Sequence, residues 1–273
     1  MPHRTSRSCA LSFHRLVAIA FALLALGVSA SARSQAREEA RVLVATQVLE
    51  EQQSQRDNVI PDKLLERAYG IAVVPNVTKV AFIIGGRRGQ GLLVVRDKSG
   101  RFSSPVFISL TGGSVGWQIG ANETDVILVF TTRRGIEGMA DGKFTLGANA
   151  SVAAGPVGRS GEVAAGVNAE VYAYSRSRGV FAGVALDGTA ITIDNGANGR
   201  YYGKRGVLAS DIMSGAVTKD SENVRRFLAA INKGTGDPTP ATSSAPASSP
   251  ATPAPGGVQT FPMEDNKPGA EPQ

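Results

Sequence analysis

Two stretches decide the fold: Gly-Ile-Ala-Val-Val-Pro at residues 70–75 and Asp-Val-Ile-Leu-Val-Phe at residues 125–130. Both are short, continuous apolar runs bounded by Gly, Pro or Asp. Further runs closed by glycine are AFIIGG (81–86), GQGLLVV (89–95), GGSVGWQIG (112–120), AAGPVGR (153–159), SRSRGVFAGVALDG (175–188) and NGRYYG (198–203). Such runs, punctuated by residues that allow tight reversals, are typical of a many-stranded antiparallel sheet.

The runs predict strands in two groups. The first group is Ile71–Val74, Val80–Ile84, Gly91–Arg96, Val106–Leu110, Ser114–Ile119 and Asp125–Thr131. The second is Phe144–Ala153, Glu162–Ser175, Val180–Leu186 and Ala190–Ile193. Asp97–Gly100 is predicted to be a turn, and Asp187-Gly188 is typical of a short hairpin connecting the last two strands.

Helices are predicted at both ends of this region. The first, Ala36 to Arg56, places Ala40, Val44, Val48, Ala45 and Leu49 on one side. The others are Asp62–Tyr69 after Pro61, then Val207–Ser214 and Ser221–Asn232. The predicted fold class is therefore α+β: one domain, mainly an antiparallel sheet, with N-terminal and C-terminal helices.

The chain begins with Arg4, Arg7 and Arg15, an apolar stretch from residue 16 to 28, and Ala30-Ser31-Ala32. This order is typical of a secretory signal peptide, with an uncleaved anchor as the alternative. Residues 1–32 are thus a predicted signal peptide, 33–233 the domain, and the Pro-, Ala- and Ser-rich residues 234–273 a disordered tail. The expected location is periplasmic or secreted, with peripheral membrane association.

Cleavage of that leader would remove His3, His14 and Cys9, which are all the histidines and the one cysteine of the chain. The remaining chain could not form a Ser-His-Asp triad, a Cys nucleophile, a disulfide or the ordinary zinc, copper and haem sites. No Ser-x-x-Lys occurs either. We therefore expect a protein that is not an enzyme and has no cofactor and no metal.

Paired carboxylates are the one catalytic arrangement left open, as in an envelope hydrolase. A glycosidase would need two of them about 5–10 Å apart across a cleft. The central acids are Asp125, Glu137, Asp141, Glu162, Glu170, Asp187 and Asp194. Asp187 and Asp194 resemble turn residues, and aromatic residues, which line many sugar clefts, make up only 6% of the chain.

The charge balance favours an anionic partner. The chain has 29 Lys and Arg against 23 Asp and Glu, a formal net charge of +6. The tail is acidic, so the positive excess belongs to the domain, as expected for contact with phospholipid headgroups. Scattered arginines in an exported protein argue against nucleic acid. An envelope protein is the alternative partner.

Candidate lipid-binding residues are arginines at four places. Arg87 and Arg88 lie in the glycine-rich segment 85–91, which is either a phosphate-cradling loop or, as we favour, a hairpin with an exposed basic tip. Arg133 and Arg134 follow a strand, and Arg176 and Arg178 lie in a predicted turn. Arg37 and Arg41 are on the first helix, which either inserts into a bilayer interface or, as we favour, packs on the sheet.

Taken together, the segments from about Ile60 to Ser214 resemble the SYLF domain family. The resemblance rests on Ile60-Pro61, Gly70–Pro75, Gly85-Gly86 with Gly89-x-Gly91, Ser104–Phe107, Gly116–Gly120, Gly155–Arg159, Tyr174–Gly179, Phe181–Gly183 and Tyr201–Gly203. Family members often have Trp where this chain has Phe102, which keeps an aromatic residue.

The family is found in eukaryotic actin-patch and phosphoinositide-binding proteins and in bacterial secreted proteins. The resemblance therefore implies lipid binding, chiefly to phosphorylated inositol lipids in the eukaryotic members, with actin binding in some yeast relatives. For an exported protein the implied property is affinity for anionic membrane lipid.

Overall fold

The computed structural model describes residues 35–54, 60–81, 84–97, 99–115, 120–140, 143–156, 169–177, 180–184 and 186–235. The predicted signal peptide, the predicted tail beyond residue 235, Trp117 and Arg178 lie outside these residues; the first two residues of the predicted tail, 234 and 235, are instead helical. Within the described ranges, no helix is both long enough and apolar enough to span a membrane.

The helices are α1 (35–54), α2 (Asp62–Glu66), α3 (Arg134–Ala140), α4 (Asn195–Tyr202), α5 (Ala209–Met213) and α6 (Glu222–Thr235). The strands are β1 (Gly70–Ala81), β2 (Ile84–Val95), β3 (Val106–Val115), β4 (Gly120–Phe130), β5 (Lys143–Thr145), β6 (Val152–Ala154), β7 (Val171–Ser177), β8 (Val180–Gly183) and β9 (Ala190–Ile193).

All nine strands found in the described ranges belong to one sheet, in the order β5-β9-β3-β2-β1-β4-β7-β6, with β8 also paired to β7. Every pair is antiparallel except β6 with β7. The predicted α+β class, with a mainly antiparallel sheet and helices at both ends of the domain, is confirmed.

Helices cover both faces of the sheet. Ile71 and Val73 of β1 belong to a core cluster with α1, α2, α4 and α6, whereas Ala72 and Val74 belong to a second cluster with α3 and α5. Successive side chains of a strand point to opposite faces, so a strand buried on both faces has no polar positions to alternate with apolar ones. This explains the continuous apolar runs at 70–75 and 125–130.

The glycine-rich segment 85–91 is part of strand β2, so the predicted hairpin tip is wrong. Residues 85–88 pair with β1 on one side, and the whole segment pairs with β3 on the other. Gly89 and Gly91 serve close approach rather than a turn, because the β1 register shifts beside them, between Val73 and Thr78. A Cβ on Gly91 would lie 2.2 Å from the carbonyl oxygen of Val73.

Other predicted strand ends and turns that contain glycine also differ from the structure. β3 runs without interruption through Gly112 and Gly113, where two separate strands were expected. The predicted strand 144–153 is instead β5 and β6, separated by a turn in which Gly147 has φ +84°. Asp187-Gly188 does form a turn, but not a hairpin, because β8 pairs with β7 and β9 pairs with β3 and β5.

Two helices, α3 and α4, were not predicted. The run NGRYYG is the C-terminal part of α4, which ends at Gly203 in the left-handed conformation with φ 66°. Asp194 caps the other end, since its side chain accepts a hydrogen bond from the backbone N–H of Ala197. The apolar Tyr-Tyr pair of this run therefore packs from a helix and not from a strand.

Helix α4 is attached to β3 by the fully buried Asn198. Its Oδ1 accepts from the backbone N–H of Phe107 at 2.9 Å, and its Nδ2 donates to the Phe107 carbonyl at 3.2 Å. Asn198→Ala is expected to lower the free energy of unfolding by about 2 kcal/mol, because a buried backbone donor loses its partner. Urea denaturation would measure this. The exposed Asn195→Ala is the control, and an equal loss in both variants would contradict the bridging role.

Candidate functional site

Helix α1 packs on the sheet, as we favoured from the sequence. Its buried apolar residues are Val42, Ala45, Val48 and Leu49, which join the core cluster of that face. Ala40 and Val44, expected on the same side, are instead exposed and half-buried respectively. The core side of α1 is therefore rotated away from these two residues.

Ion pairs also hold α1 in place. Each of its four glutamates contacts a cation on another element: Glu38 with Arg200 (2.7 Å), Glu39 with Lys219 (3.5 Å), Glu50 with Arg226 (2.7 Å) and Glu51 with Arg176. The hydrogen bond from Arg226 lowers the pKa of Glu50. In the structure these four acids neutralise cations of the domain itself.

A cleft of about 1040 Å³ opens between the N-terminal half of α1 and the sheet. Helix α1 contributes Arg37, Ala40, Arg41 and Val44. The sheet contributes residues of β1 at the bulge, the middle of β2 and the glycine-containing end of β3, with Gly188 and Ala190 beside them. We call this site the arginine cleft.

Arginines are the only charged side chains among the described residues that line the arginine cleft: Arg37, Arg41, Arg87 and Arg88. Arg37 and Arg88 are exposed, and neither has an ion-pair partner in the described part of the chain. Arg41 is held by Gln90, by Glu38 at 3.0 Å and by Asp194 at 3.5 Å. The cleft thus combines two available cations with one that is fixed in position.

Arg87 and Arg88 point to opposite faces, since they are neighbours in a strand. Arg88 is opposite Thr78 and Thr111 and shares its face with Gln90, which contacts α1. Arg87 lies beside Gly112, and partial burial lowers the pKa of its guanidinium, although arginine remains charged at neutral pH. Arg88 is therefore the β2 arginine that faces α1.

The remaining predicted arginines lie elsewhere. Arg133 is exposed after β4, and Arg134 is the first residue of α3. Arg176 is within β7, not in the predicted turn, and its charge is engaged by Asp125 at 3.8 Å and by Glu51. None of these three residues lines the arginine cleft.

Three of the central acids have structural contacts. The Asp125 carboxylate accepts from the backbone N–H of Asn76 at 3.0 Å, Glu170 accepts from the N–H of Ser151 at 3.0 Å, and Asp194 caps α4. No group of three or more His, Cys, Asp or Glu within the described ranges is arranged to hold a metal ion. None of these acids is among the described residues that line the arginine cleft.

Sequence reasoning missed the contributions of Ala40, Val44 and Gln90 to the site. A signal was present, because Arg37, Ala40, Arg41 and Val44 have the spacing i, i+3, i+4, i+7 of one helix face. The face of α1 that lines the cleft overlaps in part with the face that packs on the core. The apolar residues alone do not distinguish the two faces.

The fold and the cleft define an α+β binding domain with a cationic site. Residues 111–234 match the family model described as Ysc84: Las17-binding protein actin regulator. The chain therefore carries a domain of the SYLF (Ysc84) family, as the motifs indicated. The family is a binding-domain type and is not a known enzyme family.

Curated relatives agree. The chain is 38% identical over 192 residues to LAS seventeen-binding protein 3 and 39% identical over 193 residues to Protein YSC84, both of Saccharomyces cerevisiae. It is 32% identical over 198 residues to SH3 domain-containing YSC84-like protein 1 of Xenopus laevis. These alignments cover 68%, 68% and 71% of this chain but only 41%, 40% and 58% of the relatives. No solved structure matches the chain significantly.

Proposed function

We propose that this domain binds anionic phospholipid headgroups in the arginine cleft and catalyses no reaction. The observation that carries the proposal is the charge of the site: the charged residues of its described lining are all arginines, with no carboxylate among them, and Arg37 and Arg88 are exposed. A guanidinium binds phosphate oxygens through paired N–H donors, so exposed arginines without partners are suited to phosphate groups. The positive net charge of the chain supports the same ligand class.

The proposal includes an envelope location. The basic, apolar and small-residue order of residues 1–32 supports export to the periplasm or beyond, where the domain would meet anionic membrane lipid. N-terminal sequencing of protein recovered from the envelope tests this part. A chain that begins near residue 33 is expected, and a cytosolic chain that retains residues 1–32 would contradict it.

A protein partner is the second candidate function. It is favoured by the family description and by the name of the yeast relative that is 38% identical, both of which refer to binding of Las17 or LAS seventeen. For an exported chain, the corresponding partner would be an envelope protein. Specific co-purification with one envelope protein, together with indifference to lipid vesicles, would favour this function over lipid binding.

Arg88→Glu is expected to reduce binding to anionic vesicles by about tenfold or more, because it reverses an available charge in the cleft. Co-sedimentation with phosphatidylglycerol-containing and with pure phosphatidylcholine vesicles measures the effect, and raised salt should weaken the binding. Arg205→Glu makes the same charge change at an exposed site outside the cleft and is the matched control. Equal recovery with both vesicle types, or equal losses in both variants, would reject the proposal.

A further inference from the structure

The α1 wall of the arginine cleft is amphipathic in itself. Arg37 and Arg41 alternate there with Ala40 and Val44, and all four residues line the cleft. The face extends about 10 Å along the helix axis, at 1.5 Å per residue. Ala40 is exposed and Val44 only half-buried, so neither apolar side chain is used by the core as Val42 and Ala45 are.

The opposite wall is also not purely polar. Pro75 lies at the β1 bulge, and the neighbouring positions Gly86 and Gly113 have no side chain to fill the space. A Cβ on Gly113 would have no atom within 4 Å. The site is therefore wide as well as cationic, with apolar surface on both walls.

The volume is larger than a phosphate group requires. Pockets of roughly 300–1,000 Å³ hold entire small-molecule ligands, and the arginine cleft has about 1040 Å³. A headgroup phosphate at Arg37 and Arg88 would leave the space beside Ala40, Val44 and Pro75 open. Apolar surface in that space is stabilised by an apolar part of the same ligand.

We propose that the arginine cleft binds a single anionic amphiphile, with the phosphate at Arg37 and Arg88 and the first part of an alkyl chain against Ala40, Val44 and Pro75. This inference rests on the proposed function and narrows it from a charged surface to one molecule with a head and a chain. Arg41 lies between Ala40 and Val44 on the same face, and its charge is engaged by Glu38 and Asp194, which leaves Arg37 and Arg88 to bind the phosphate.

Calorimetric titration with three probes below their micelle concentrations tests the inference: decyl phosphate, methyl phosphate and decyl glucoside. Decyl phosphate is expected to bind at least about tenfold more tightly than methyl phosphate, because each buried methylene contributes favourably. Decyl glucoside, which has the chain without the charge, is expected to show no binding at the same concentration. Equal affinities for decyl phosphate and methyl phosphate would overturn the inference.

Val44→Asn should remove most of the affinity that the alkyl chain gives decyl phosphate over methyl phosphate, because a polar amide replaces the apolar contact. Leu43→Asn is the matched control, because Leu43 is half-buried on the same helix but does not line the cleft. The exposed Ala40→Asn tests the same contact if Val44→Asn does not fold. Unchanged decyl phosphate affinity in the folded cleft variants would overturn the inference.

These results separate the two proposals. If vesicle binding depends on Arg88 but the alkyl chain adds no affinity, the headgroup function stands and the amphiphile inference fails. If vesicle recovery depends neither on the charge of the lipid nor on Arg88, and methyl phosphate does not bind, the proposed function itself fails.

Discussion

Gly91→Ala is expected to destabilise the domain by at least about 4 kcal/mol, which would leave much of the protein unfolded. A Cβ at this position would lie 2.2 Å from the carbonyl oxygen of Val73 and 2.7 Å from the Cα of Val74. Both atoms belong to the backbone of β1, so no side-chain rotation relieves the contact. The central pair of strands would have to separate at the bulge. Thermal or urea unfolding followed by circular dichroism measures the effect.

Gly86→Ala is the matched control for this prediction. Gly86 lies on the same strand, and an added Cβ would have its nearest neighbour at 3.9 Å, the carbonyl oxygen of Gly112. The expected change is within about 1 kcal/mol, since alanine is no worse than glycine in an extended strand. If both variants were equally stable, the close approach of β1 to β2 would not be what requires glycine at position 91.

Glu38→Gln is expected to lower the free energy of unfolding by about 3 kcal/mol. Glu38 is fully buried. Arg200 donates to its Oε1 from Nε and Nη2 at 3.1 and 2.7 Å, and Arg41 lies 3.0 Å from its Oε2. Glutamine removes the negative charge and places an amide donor against guanidinium donors, and the loss of one partner from a buried ion pair is strongly destabilising. Because the side chain of Arg200 is 43% exposed, the expected loss in the free energy of unfolding lies at the lower end of the range for a buried ion pair.

Denaturant unfolding of the variant, compared with Glu66→Gln, measures this effect. Glu66 is exposed at the end of α2, so the same chemical change there should alter stability by no more than about 0.5 kcal/mol. Because Glu38 holds the N-terminal part of α1 against α4, the Glu38 variant should also bind anionic vesicles more weakly. A Glu38 variant as stable as the Glu66 variant would show that α1 is held by its apolar contacts alone.

Local sequence was sufficient to predict the fold class, because the fold class depends on the composition of many residues together. The continuous apolar runs at 70–75 and 125–130 predicted buried strands, and the apolar residues of α6 predicted the last helix to within a few residues. Strand boundaries were less predictable wherever glycine was taken as a turn. In β2 and β3 the glycines accommodate the neighbouring strand or line the cleft, and the sequence of one strand does not show how closely its neighbour approaches.

The sequence predicted the chemistry of the candidate site, but not which of the candidate residues form it. Arg37, Arg41 and Arg88 do lie in one cleft, although 47 residues of chain separate the last two. Arg176 does not belong to it, because strand pairing between β4 and β7 places its side chain beside Asp125. No feature of the sequence near Arg176 distinguishes an engaged arginine from an available one.

The sequence by itself determined the α+β class, the excess of positive charge, and the family, since each depends on residue type and local order along the chain. Only the tertiary structure decided which cations are neutralised within the molecule and which remain available to a ligand. The physical reason is that an ion pair depends on the distance between charges. Here the glutamates of α1 meet cations that lie far away in sequence. Among the described residues, Arg37 and Arg88 are the arginines of the cleft lining that remain exposed and have no ion-pair partner.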